Sequence, residues 1–143
     1  MTVRLNPYLS FRGTAREAMT FYQSVFGGEL TLTSFAESGA LQVPAEEAEW
    51  VMHGQIRLDD VLTLMGADAP TVAGSAAVGE QPDPGGFSVC LNGDDEPLLR
   101  LWWEGLRLGA QIQEELSQAP WGDWFGMLVD RFGVHWMVNI TTS

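Results

Sequence analysis

The stretch "NPYLSFRGTAREAMTFYQSVFGG", Asn6 to Gly28, sets out an order of elements. Its opening, with Leu5 before it, reads as a strand, "LNPYLSF". Thr14 and Glu17 then make a T-x-x-E capping box, in which each side chain can satisfy an orphan backbone donor at a helix start. Ala15, Ala18, Met19, Tyr22, Val25 and Phe26 follow at helical spacing and form one apolar stripe. Gly27-Gly28 stops the helix, because glycine accepts the left-handed conformation of a C-terminal cap.

Outward from this unit the chain continues in strands: "ELTLTSFAE", "EWVMHGQIRL" and "VLTLMGA". Asp59-Asp60 joins the last two as a hairpin turn. From Asp68 to Gly86 the sequence, "DAPTVAGSAAVGEQPDPGG", is small, rich in Gly and Pro and without periodicity, which reads as a linker. The pattern then resumes. "GFSVCLNG" is a strand, and Asp94 or Asp95 caps a helix with Pro97 in its first turn. Leu98, Leu101, Trp102 and Leu106 form its stripe, and Gly109 ends it. "AQIQEELSQ", "WFGMLVD" and "VHWMVNI" are three further strands. Strand, helix and three strands thus occur twice, about 80 residues apart. Two copies suit a pseudo-symmetric pair of modules rather than a solenoid. The expected organisation is a first module over residues 1–67, a linker over 68–86 and a second module over 87–143.

Composition removes several classes of function. A net charge of −12 makes nucleic acid and anionic membrane surfaces poor partners, since both require clustered cations. All seven basic residues are arginine, so Schiff-base chemistry and lysine-linked biotin or pyridoxal are excluded, and no cofactor is expected. Cys90 alone can form neither an internal disulfide nor a thiolate zinc cluster, and in "GFSVCLN" it reads as a small buried hydrophobe. No apolar run has the length of a membrane span, and "MTVRLNPYLS" lacks a signal-type apolar core, so the expected compartment is the cytoplasm.

The opening N-P-Y-L-x-F…A-x-x-F-Y…F-G-G, together with "WGDWFGMLVDRFGVHWMVN" near the end, resembles the PhnB-like branch of the vicinal-oxygen-chelate superfamily. That superfamily includes glyoxalase I, bleomycin-resistance proteins and extradiol dioxygenases. The resemblance implies an α+β fold of two βαβββ modules, with cupped mixed sheets around a pocket and helices on the convex side. It also implies a homodimer. In metal-using members a His or Gln lies on the first strand of each module and a Glu on its last, leaving two positions on a divalent ion for substrate oxygens. Carried onto this chain, those positions fall on Pro7 (or Asn6), Thr63 or Leu64, Phe87 or Ser88, and Met137. Such residues do not suit a hard or borderline cation, so no metal site of the family type is expected.

Strand alternation turns His135, Met137 and Asn139 to one face and Val134, Trp136, Val138 and Ile140 to the other. In "VMHGQIRL", Val51, His53, Gln55 and Arg57 share a face. His53 can be a hydrogen-bond partner or a general base, against the alternative of a solvated sheet position. Trp121 and Trp124 can stack on a planar ligand or simply pack, whereas Phe125 reads as core. Asp130 and Gly133 in "DRFG" read as turn residues. The expected activity is metal-free binding of a small molecule in an aromatic-lined cup by His53, Gln55, Trp121, Trp124, His135, Met137 and Asn139. The alternative is an isomerase, lyase or dioxygenase with a relocated metal or with His53 as base. A structural or regulatory protein with a filled cup is a third class.

Overall fold

A computed structural model describes residues 4–39, 43–70 and 87–142. The chain divides into two compact units, Met1–Pro82 and Asp83–Ser143. In the first, β1 (Tyr8–Phe11) leads to α1 (Ala15–Phe26), then β2 (Glu29–Ser34), α2 (Phe35–Ser38), a 3-10 turn (Ala45–Glu47), β3 (Val51–Leu58) and β4 (Leu62–Asp68). In the second, β5 (Val89–Gly93) is followed by α3 (Glu96–Leu106), β6 (Gln111–Gln118), β7 (Trp124–Val129) and β8 (His135–Ile140). The strand order is β1-β4-β3-β2 in one sheet and β5-β8-β7-β6 in the other. Each unit is therefore a βαβββ module in which the first strand pairs in parallel with the last and the other neighbours are antiparallel.

Each sheet buries one face under its helix. Leu9, Phe11, Ile56 and Leu64 of the sheet and Ala15, Ala18, Met19 and Tyr22 of α1 are all under a tenth exposed, and α1 packs on β2, β3 and β4. In the second unit Leu91, Leu128, Trp136, Val138 and Ile140 are buried with Leu99, Trp102, Trp103 and Leu106 of α3. Glycine lets helix and sheet close up. A Cβ on Gly126 would lie 2.8 Å from the Trp103 ring and 3.0 Å from the Leu116 backbone. The stripe of α3 runs through Leu99 and Trp103 where Leu98 and Leu101 were expected, and Leu101 is 64% exposed.

Several local expectations give way to tertiary contacts. The Thr14 side chain makes no capping hydrogen bond. The start of α1 is instead served by Asp68, at the far end of the module, which accepts from Gly13 N (2.7 Å) and Ala15 N (3.0 Å), and from Val51 N (3.0 Å). Asp68 is thus the last residue of β4 and 4% exposed, not the first of a linker. Residues 71–86 of the expected linker lie outside the described residues. The strand expected to reach Glu37 stops at Ser34, where Ser34 and Glu37 form a capping box that opens α2. The Asp59-Asp60 turn is present, and Asp59 adopts φ 44°, a conformation that Asp tolerates better than most residues. Asp130 holds the β7–β8 turn as expected: its carboxylate accepts from Phe132 N, Val134 N and Trp136 Nε1 at 2.8–3.0 Å.

Candidate functional site

The far face of each sheet, away from its helix, presents the candidate residues. In the first unit the register aligns Thr31, Gln55, Met65 and Tyr8 across the four strands, and Thr33 with His53 beside them. Val51 is not on that face. The register shifts between Thr33 and Ser34, so Met52 is an extra residue and Val51 turns inward, fully buried. His53 and Gln55 are half-buried on the far face, with Arg57 exposed. Tyr8 reaches over β4 so that its Oη lies 3.0 Å from Nδ1 of His53, with ring centroids 5.7 Å apart. The sequence reading missed Tyr8, although Leu9 and Phe11, being core residues, leave Tyr8 and Ser10 for the opposite face by alternation.

In the second unit β8 follows the expected alternation. Trp136, Val138 and Ile140 are buried at 1%, 0% and 1% exposure, which turns His135, Met137 and Asn139 to the far face. Their cross-strand partners on β7 are Val129, Met127 and Phe125. Phe125, read as core, therefore lies on the sheet face away from α3, and exposed Trp121 meets it edge-on at 5.9 Å between centroids. Trp124 is paired with Ile140, on the helix face, where the Arg100 guanidinium of α3 lies 4.6 Å from its ring centroid. It does not join the other candidates. Asn139 is already engaged, donating from Nδ2 to Asp123 Oδ2 (3.1 Å) and so fixing the loop before β7. Cys90 is exposed on β5 beside Met137, not buried. The resulting surface, Phe125, Met127, Val129 and Met137, is apolar and half-buried, where a sheet face turned to water normally carries polar side chains.

The donor set does not fit the divalent ion that the resemblance implies for the metal-using members. On the far face, β1 and β4 offer Tyr8, Ser10, Thr63, Met65 and Ala67, and β5 and β8 offer Cys90, Asn92, His135, Met137 and Asn139. Neither pair of strands supplies the required carboxylate. Leu64 points to the helix, while Pro7 and Phe87 precede their strands. Among the described residues no group of three or more His, Cys, Asp or Glu side chains is placed to hold a metal ion.

At the end of the first sheet the β3–β4 hairpin borders a recess of about 290 Å³. Arg4, Asn6, Gln55, Arg57, Asp59, Asp60 and Thr63 are among its lining residues.

These two modules match the Glyoxalase/Bleomycin resistance protein/Dioxygenase superfamily over residues 4–138, and the chain belongs to that superfamily. Protein YjdN of Escherichia coli is 29% identical over 95% of this chain and 94% of its own. Protein PA1353 of Pseudomonas aeruginosa is 31% identical in a structural match with TM-score 0.78, covering 99% of this chain and all of that one. The PhnB protein of Bacillus cereus is 22% identical with TM-score 0.72, covering 97% and 100%, and shares the fold. No helix among the described residues is long and apolar enough to cross a membrane.

Proposed function

We propose that this protein binds a small organic molecule with a flat apolar portion, without a metal, on the far face of its second sheet. The observation that carries this reading is the half-buried apolar surface of Phe125, Met127, Val129 and Met137, with exposed Trp121 at its edge. Methionine suits such a surface because its flexible, polarizable side chain adapts to ligand shape, and aromatics supply stiff contact area. His135 gives a polar handle beside it. The test is titration with a neutral aromatic probe, N-phenyl-1-naphthylamine, followed by tryptophan quenching. Saturable quenching is expected, with affinity lowered at least about tenfold (about 1.4 kcal/mol) by Met137→Lys. Saturable binding unchanged in that variant would place the probe elsewhere and reject the reading. A homodimer is part of the proposal, and light scattering should give twice the chain mass of 15.7 kDa.

The Tyr8–His53 contact favours a second reading, catalysis by His53 as general base. A neutral ring that donates Nδ1–H to Tyr8 Oη keeps its Nε2 lone pair available for a substrate proton. Proton–deuterium exchange α to a carbonyl, measured by NMR over a panel of ketones and lost in His53→Gln, would support it. Equal exchange in wild type and variant would remove it.

A further inference from the structure

The recess at the β3–β4 hairpin has charges that the binding reading does not use. Arg4 and Arg57 line it with Asp59 and Asp60. Among the described residues none of these four side chains makes an ion pair or hydrogen bond with another residue. Two cations and two anions therefore line one concave surface with no ion pair between them among the described residues. Gln55 and Thr63 add uncharged polar groups from the sheet face. The volume, about 290 Å³, is at the small end of ligand pockets, about 300–1,000 Å³.

We propose that this recess binds a small zwitterion, an amino acid or a close analogue. Its carboxylate lies with the Arg4 and Arg57 guanidiniums, and its ammonium with Asp59 and Asp60. Guanidinium presents a planar fork that matches a carboxylate, whereas carboxylates accept from each ammonium hydrogen. A simple anion would bring its charge up to two aspartates, and a simple cation up to two arginines. Only a ligand with both signs complements the set. Sequence placed Asp59-Asp60 in a turn and Arg57 on a sheet face, but only folding brings Arg4 to them.

The experiment is calorimetric titration of the whole chain at low salt with glycine, β-alanine and 4-aminobutyrate, and with acetate and methylammonium as single-charge controls. At least one zwitterion should bind at least about tenfold tighter than either control. Arg57→Gln and Asp59→Asn should each weaken it by about tenfold, and Asn retains the left-handed backbone of position 59. Acetate binding as well as the zwitterions would make this a plain anion site. No binding, or binding indifferent to both substitutions, would also overturn the assignment. N-Phenyl-1-naphthylamine binding should be unchanged in Arg57→Gln, so failure here and failure of the apolar-surface reading are read separately.

Discussion

Asp68 shows how one side chain can join the two ends of a module. Its carboxylate gathers the backbone N–H groups of Gly13, Ala15 and Val51, from the turn before α1 and from the start of β3. Bonds to a buried carboxylate are among the stronger ones, and removing their acceptor leaves buried donors unpaired. Asp68→Ala is expected to lower stability by about 3 kcal/mol in urea denaturation. Thr14→Ala, at the position whose sequence looks like the cap, should change it by less than about 0.5 kcal/mol. The reverse ranking would return the cap to Thr14. At this scale the sequence was a partial guide. T-x-x-E at Thr14 and S-x-x-E at Ser34 carry the same local signal, and only the second forms its reciprocal bonds. A carboxylate arriving from 53 residues away is invisible to local pattern.

Among elements, period two and period 3.6 made most strands and both long helices legible. The alternation in "VHWMVNI" put Trp136 and Met137 on opposite faces, the resemblance at Met137 suggested which face was which, and burial of Trp136 agrees. Alternation failed at Val51 because a bulge inserts Met52, and a single extra residue reverses the facing of what lies beyond it. The sequence reads Phe125 as core and leaves Trp124 open between stacking on a ligand and packing. In "WFGMLVD" both faces are apolar, so hydrophobicity cannot say which is core. The register settles it, since Gly126 pairs with buried Val138 and so turns its two neighbours the other way. Gly126 has no room for a side chain beneath Trp103 and Leu116. Gly126→Ala should therefore cost about 1–3 kcal/mol through overpacking, read as a lowered denaturation midpoint at unchanged slope. An unchanged midpoint would contradict the close approach of α3 to β7.

For the whole molecule, the paired βαβββ modules were readable because two long patterns of elements agree, and superfamily membership supports that reading. Function was less legible, because one fold hosts many chemistries and the residues that would define this one are not the superfamily's metal ligands. The far-face donors include Tyr8, Met65, Cys90 and Met137 at the paired positions of the first and last strands. After loading with nickel, manganese, iron and zinc, mass spectrometry of the dialysed protein should find far less than one ion per chain. A retained stoichiometric ion would redirect attention to His53 and His135.

The most direct measurement is methyl NMR of the protein during titration with N-phenyl-1-naphthylamine. The methyls of Met127, Val129 and Met137 should shift together and saturate, while those of buried Leu64 and Ile56 stay in place. Probe binding that leaves the first three unmoved, or no binding at all, would contradict a ligand surface on the second sheet.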